Sequence, residues 1–245
     1  MDKLTLNKEL VPAIQSIVFN REYLYLVGPV DLPCDVNSQV RMFRWYSWIK
    51  TPEHIDQKDA QIKYLLDRRM ENSQVSSVLT FGSLTENNIF VRLHSICHTG
   101  DIFGSQKCDC GNQLRASMER IVEHGSGILF YLANHEGRGI GLMNKALTYL
   151  LQQSGYDTVE ANEILGLPVD CRSYDEALCI LKHLRREGTI TFLTNNPSKI
   201  EAARRYGFEE VRYEPLWVNE SVHNHKYLMT KIEKTRHMLN REVSR

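Results

Sequence analysis

Cys97, Cys108 and Cys110 fall within one short polar stretch, with His98-Thr99-Gly100-Asp101 after the first and Asp109 between the last two. Thiols gathered by a local loop suit zinc, which binds thiolates tetrahedrally. Structural zinc sites fill all four positions with protein groups, whereas three protein ligands leave one place for water, the catalytic arrangement. Three unrelated thiols are the competing reading. The Cys-x-Cys spacing and the surrounding glycines and polar residues argue against it, because they make a poor apolar core. His94 and His98 are possible extra ligands, but most single histidines bind no metal, so the expected set is Cys97, Cys108 and Cys110. A zinc so held lowers the pKa of its water to about 7. The resulting hydroxide could attack an aromatic C–N carbon, as in the zinc nucleobase deaminases, a chemical precedent that implies no common fold.

Four further groups of residues could take part. His135-Glu136-Gly137-Arg138-Gly139-Ile140-Gly141-Leu142 offers close backbone approach and a helix start, with Arg138 and Lys145 adding positive charge. Alone it also reads as an ordinary glycine-rich turn. Asp170-Cys171-Arg172 stands just before a helix and in isolation reads as surface charge or a cap. Thr194-Asn195-Asn196-Pro197-Ser198-Lys199 combines a hydroxyl, amides, a helix N-terminus and a lysine, all suited to phosphate, or equally to a plain capped helix. Tyr149 is either core or a polar tip in the site, and Glu160 and Asn162 read as solvent-facing.

The elements that must position these residues are clearest after residue 110. Leu114, Met118, Ile121 and Val122 recur at helical spacing, with Gly125 as the stop. Residues 127–132 and 189–193 read as short buried strands, and 208–213 as a third. Helices are expected over 141–154 and 174–187, and from Pro197 as a first helical residue. Strands alternating with helices imply an α/β domain with at least part of the sheet parallel, α+β being the variant, and sites then gather at the carboxyl ends of strands. Those ends carry His135–Arg138 and Thr194–Pro197. The first third is harder to read. Residues 23–27 look like a strand closed by Gly28-Pro29, 58–70 like an amphipathic helix, and 76–81 and 88–93 like strands around Glu86-Asn87-Asn88.

Composition narrows the function. The chain has 245 residues, 42% hydrophobic and 24% charged, which suffices for a sizeable core. Its 30 basic and 30 acidic residues balance, which argues against broad nucleic-acid binding and leaves room for a local basic pocket. No signal-peptide pattern, no membrane-spanning run, and six cysteines point to the reducing cytosol. Cys34 and Cys179 read as ordinary thiols, Cys179 in a buried apolar run. The basic tail, residues 231–245, reads as a solvated helix end.

Taken together, these motifs resemble the GTP cyclohydrolase II family, which opens riboflavin synthesis. The resemblance spans residues 91–239 and rests on Arg92-Leu93-His94-Ser95, the Cys97 to Cys110 loop, Gly111-Asn112-Gln113-Leu114, Glu136-Gly137-Arg138, Asp157-Thr158-Val159-Glu160-Ala161-Asn162 and Thr194–Lys199, in matching order. It implies a zinc-dependent hydrolase that removes C8 of GTP as formate and releases pyrophosphate, leaving a diaminopyrimidinone ribosylamino 5′-phosphate. Cys97, Cys108 and Cys110 would hold one zinc, and magnesium would accompany the triphosphate. Tyr149 would act in ring opening, Asp170 as proton acceptor, and Arg172 as the group that attacks the α-phosphate. Arg92, Leu93, His94, Ser95, Ile96, Gln113, Glu136, Gly137, Arg138, Thr158, Thr194 and Lys199 would contact GTP. Glu136 could select guanine by accepting from its N1–H and amino groups. A homodimer is implied as well. The chain departs from the family pattern at Ile96, where a glutamate usually precedes the first cysteine, and over residues 1–90, which read as an elaborated segment integrated with a catalytic domain over 91–245. The alternatives are a related cyclohydrolase with another purine nucleotide or a partial reaction in specialised metabolism or nucleobase catabolism, and a non-catalytic zinc-stabilised nucleotide-binding protein.

Overall fold

The computed structural model describes residues 10–67 and 75–216, with Val218, Asn224, Met229 and Met238 beyond them. Its strands are β1 (Ile14–Phe19), β2 (Glu22–Val36), β3 (Gln39–Thr51), β4 (Ser76–Phe81), β5 (Asn88–Ser95), β6 (Gly127–Leu132), β7 (Thr189–Leu193) and β8 (Val211–Glu214). Its helices are α1 (Lys58–Asp67), α2 (Cys110–His124), α3 (Leu142–Gln153), α4 (Thr158–Ile164), α5 (Asp175–Leu184) and α6 (Pro197–Arg205). All eight strands join one mixed sheet in the order β1-β2-β3-β4-β6-β5-β7-β8. The pairs from β1 to β6 are antiparallel, and β6, β5, β7 and β8 run parallel.

Both faces of β5, β6 and β7 are covered, which is why these strands are rich in apolar residues on both faces. Ile89, Val91 and Leu93 of β5 and Ile128, Phe130 and Leu132 of β6 face the larger core, with Leu178, Ile180 and Leu181 of α5 and Ala202 and Ala203 of α6. Phe90 and Leu129 point the other way, to a second core with Ile121, Leu114 and Met118 of α2. Strand alternation therefore also assigns Arg92, His94 and Tyr131 to the α2 side.

β5 lies between β6 and β7; the connection after β5 carries α2 to one face of the sheet, whereas those after β6 and after β7 carry α5 and α6 to the other. A crevice at the carboxyl ends of the strands follows from this reversal. The loops that emerge there carry Cys97, residues 133–139 and Thr194–Asn196.

Several expected boundaries shift. β2 does not stop at Gly28-Pro29 but continues to Val36, with the register slipping between Val27 and Val30. A bulge is where a strand tolerates proline, because no ladder N–H is needed there. β1 and β3 had no counterpart in the sequence reading. The helix expected over 174–187 ends at Leu184, because Arg185 leaves helical geometry. Its buried guanidinium bonds the carbonyls of Leu84, Glu86, Asn87 and Thr189. The last strand begins at Val211 and not at 208, since Gly207 and Phe208 still donate to carbonyls of α6, those of Arg204 and Ala203. Asn162 is buried rather than solvent-facing. Apart from Met238, the basic tail lies outside the described residues. Among the described residues, no helix is long and apolar enough to cross a membrane.

Phe130 is fully buried in β6 and meets Trp48 of β3 edge-on at 6.2 Å. Phe130→Ala removes a large side chain that links the antiparallel and parallel halves. It is expected to lower stability by about 3–5 kcal/mol, read as a lower urea midpoint.

Candidate active site

β5 ends at Ser95, and the chain then turns through Cys97 into one wide turn, His98–Ile102, before reaching Cys108 and the start of α2 at Cys110. The three sulfurs lie within 4.8 Å of one another, Cys97 Sγ and Cys108 Sγ being 3.5 Å apart. Two glycines permit this. A Cβ on Gly100 would sit 2.8 Å from Cys108 Sγ and 3.1 Å from Cys97 Sγ, and one on Gly111 would sit 2.2 Å from Gly100 O. All six cysteines are free thiols.

The electrostatics of the cluster favour a cation. Bonds from the Cys108 and Cys110 thiols, outweighing the penalty of burial, together with Lys145, pull the Cys97 pKa far below its ordinary value. Cys108 is pushed up to about 11: its bond with Cys110 works the other way, but donation to Cys97, burial and the Cys97 charge outweigh that. Cys110 is raised further by its bonds to both other sulfurs and by burial. One thiolate thus forms at the expense of the others, and three ionise together only when a positive ion compensates. Distances and donor type fit a thiophilic divalent metal, whose sulfur bonds of about 2.3 Å place tetrahedral ligands close to the observed separation.

The turn after β6 supplies the next wall. Glu136 is buried, and its carboxylate accepts from Lys145 Nζ at 2.6 Å, His98 N–H at 2.7 Å and Gly137 N–H at 3.1 Å. Lys145 Nζ also donates to Cys97 Sγ at 3.1 Å. Gly137 and Arg138 both take left-handed backbone, with φ of 59° and 63°. Such a conformation costs a non-glycine residue roughly 1 kcal/mol, and here Cys171 N–H holds it by donating to Arg138 O at 3.0 Å. The result turns Arg138 into the cleft.

α3 closes one side with an inverted amphipathic pattern. Lys145, Thr148, Tyr149 and Gln152, on one face, line the cleft, while Leu142, Met143, Leu147 and Leu150 are exposed. The Tyr149 ring lies under two ammonium groups, Lys107 at 4.9 Å and Lys145 at 5.7 Å. Burial, opposed by Lys145, raises the Tyr149 pKa, so the phenol keeps its proton at neutral pH.

Opposite α3, Arg172 grips Asp170 with its Nε (2.9 Å to Oδ1) and a terminal nitrogen (2.5 Å to Oδ2), and reaches Ser95 Oγ at 3.4 Å. Burial works against ionisation of Asp170, but the Arg172 bonds and charge prevail and hold its pKa below the usual value. Beneath them lies His135, whose Nε2 faces Ser173 O at 2.9 Å and Nδ1 faces Ser95 Oγ at 3.1 Å. A carbonyl accepts only, so Nε2 carries the proton.

The GTP cyclohydrolase II family model matches residues 55–215. The chain belongs to the GTP cyclohydrolase II family of enzymes. It is 46% identical over 170 residues to a GTP cyclohydrolase-2 of Colwellia psychrerythraea, covering 69% of this chain and 83% of that one. It is 47% identical over 161 residues to a GTP cyclohydrolase-2 of Archaeoglobus fulgidus, covering 66% and 42%. It is 48% identical over 156 residues to a riboflavin biosynthesis protein RibBA of Bacillus cereus, covering 64% and 39%. The chain thus spans most of the first relative and about two fifths of the other two.

Of the positions singled out from the sequence of this family member, Ser95, Ile96, Cys97, Cys108, Cys110, Glu136, Gly137, Arg138, Tyr149, Thr158 and Arg172 line one cleft. Asp170 joins them through Arg172. The others lie behind it. Arg92 bonds Leu193 O at 2.7 Å and Gln113 Oε1, while Lys199 Nζ donates to Leu93 O at 2.7 Å. Thr194 Oγ1 accepts from Asn196 N–H, and His94 turns to Asp101. The sequence reading named Asp101 and His135 only within their motifs, with no role of their own, and passed over Thr148 and Gln152. The last two were legible, since positions 145, 148, 149 and 152 form a polar stripe at helical spacing.

His135 supplies a pH test. Burial, then the charges of Arg172 and Lys199, lower its pKa to about 4 against an ordinary 6.5. Between those values the unfolded chain binds the proton and the folded chain does not, so stability is full above pH 6.5 and falls as pH drops toward 4, by at most about 3 kcal/mol. Urea midpoints should decline over that window in the parent protein. His135→Gln, which keeps a donor and an acceptor, should flatten the decline.

Proposed function

We propose that the chain opens the imidazole ring of GTP at C8 in a zinc-dependent hydrolysis. Formate and pyrophosphate leave, and 2,5-diamino-6-ribosylamino-4(3H)-pyrimidinone 5′-phosphate remains. The observation that carries this reading is a trithiol cluster sharing one cleft with a protonated tyrosine and two arginines. Cys97, Cys108 and Cys110 would hold the zinc, which supplies Lewis acidity and activates a water toward C8. The names of the relatives support GTP as substrate and riboflavin biosynthesis as the setting. Six free thiols fit a cytosolic location.

The roles of the residues follow from their surroundings. Tyr149 Oη keeps its proton and can give it to the imidazole nitrogen released as the ring opens. Arg138 and Arg172 bring positive charge to the triphosphate, with magnesium accompanying the phosphates. Asp170 is placed to take the proton that Arg172 must lose to attack the α-phosphate as pyrophosphate leaves. Ser95, Ile96, Gly137 and Thr158 shape the walls around the nucleotide. Arg92, Leu93 and His94 on β5, Thr194 just after β7, Gln113 on α2 and Lys199 on α6 support the floor. Glu136, with both oxygens already bonded, serves the nucleotide by fixing Lys145 and the cysteine loop. Residues 1–90 work as part of the same unit as 91–245, supported by the pairing of β4 with β6.

Ile96 favours a second reading. It places an apolar side chain in the cleft where the family pattern has a carboxylate, which suits a related cyclohydrolase with another purine nucleotide or a partial reaction.

Incubation with GTP and magnesium should release formate and pyrophosphate together, and a strong zinc chelator should abolish both. Tyr149→Phe should slow formate release by roughly 100-fold or more. Arg172→Ala should impair pyrophosphate release with zinc content unchanged. Unchanged GTP with fully loaded zinc excludes the first reading. Mass spectrometry of products from several purine nucleotides distinguishes the second.

The exposed apolar face of α3 supports a homodimer, since a second copy offers the same face in a two-fold interface. Leu150 is 60% exposed there. Leu150→Glu should shift the protein to a monomer in sedimentation while leaving zinc content unchanged.

A further inference from the structure

Cys97 differs from the other two cysteines in how its backbone is held. Its carbonyl accepts from Asp101 N–H at 2.7 Å, and its own N–H donates to Asp101 Oδ2 at 2.9 Å. The same residue therefore grips both polar groups of the Cys97 backbone and closes the wide turn into a ring. The Asp101 carboxylate is in turn tied to the sheet. His94 Nε2, at the end of β5, lies 3.1 Å from Oδ2 and 3.2 Å from Oδ1. Tyr131 OH, on β6, donates to Oδ2 at 3.1 Å. His94 and Tyr131 are register partners on adjacent parallel strands, and their rings stack at 5.6 Å with planes 12° apart. The His94 and Asp101 side chains are each only 2% exposed.

Resting on the zinc reading of the cysteine cluster, we propose that Asp101, anchored by His94 and Tyr131, is a positioning residue for the metal: it sets where Cys97 Sγ stands relative to Cys108 and Cys110. His94 accordingly acts through Asp101 and not on the nucleotide. The physical case is one of competition. Without the brace, the turn would have to place a thiolate against two other thiols by its own stiffness, and Gly100 within it offers little. A buried carboxylate that accepts three donors is held strongly, because each donor would lose a partner if it moved. The sheet supplies the rigid base, and Asp101 transmits it to the ligand four residues away in sequence. Groups behind metal ligands tune affinity in this manner, typically by 10–100-fold.

The tests read the metal directly. In the full chain, zinc affinity is measured by competition with a chromophoric chelator, and the ligand field by the visible spectrum of the cobalt-substituted protein. Asp101→Asn keeps the size but can accept fewer of the three donors. It should lose about 10- to 100-fold in zinc affinity and alter the cobalt bands. Tyr131→Phe removes one donor and should lose about 2- to 10-fold. His94→Gln, which can still donate to Asp101, should retain more affinity than His94→Leu. A merely structural role would lower the urea midpoint of the metal-free chain while leaving the cobalt spectrum of the folded protein unchanged, and that result overturns the proposal. So does unchanged affinity in both Asp101→Asn and Tyr131→Phe; should Asp101→Asn fail to fold, Tyr131→Phe decides alone. A parent chain that takes up no zinc overturns the metal reading, and this inference with it. That outcome is separable, because it is seen before any variant is made.

Discussion

Three sulfurs within 4.8 Å of one another repel as they ionise, and the surrounding structure is organised around containing that repulsion. Cys97 ionises first because the other thiols and Lys145 donate to it, and its charge then keeps Cys108 and Cys110 protonated. A divalent metal removes the conflict. The loop must nevertheless hold the sulfurs together beforehand, and it does so through rigid neighbours: Asp101 behind Cys97, the Glu136–Lys145 pair beside it, and two glycines that let the backbone close in. Each neighbour is fastened to a different element, so the geometry of the cluster reports the arrangement of β5, β6, α2 and α3 together.

The same demand explains why polar groups are concentrated in the interior at this end of the sheet. Arg92, His94, Asp109, Glu136, Lys145 and Lys199 are all buried there. Burying charge without partners is costly, and most of these groups are matched: Glu136 with Lys145, Lys199 with a strand carbonyl, His94 with Asp101. The cleft is left with Arg138 and Arg172 at one wall and Tyr149 at another. A polyanionic nucleotide is a natural complement to that layout. α3 carries the consequence furthest, since its polar side serves the cleft and its apolar side is left exposed.

The antiparallel hairpin of β2 and β3 stabilises the sheet from the other edge. Trp48 of β3 reaches across to Phe130 and donates to Glu176 of α5, so the hairpin packs on the same helix that supports the parallel strands. The family match begins at residue 55, after the last residue of this hairpin. It extends the sheet without contributing a side chain to the cleft.

The cysteine loop, the glycine-rich turn, and the helices and strands after residue 110 other than α4 were legible in the sequence, because each depends on local spacing: sulfurs a loop apart, apolar residues at helical period, glycine at a helix end. β1 and β3 were not read, and β2 was cut at Gly28-Pro29, because strands take their stability from partners distant in sequence. The insertion of β6 between β4 and β5 has no local signature at all. The side chains of Arg92, Lys199 and His94 likewise looked available to a ligand. Only the packed sheet shows that they turn inward to carbonyls and to Asp101. By itself, then, the sequence determined the donor set and the elements that bear it, since these are properties of residue type and period. The tertiary structure decided which polar groups face the cleft and which support it, since burial leaves no polar group free to choose its partner.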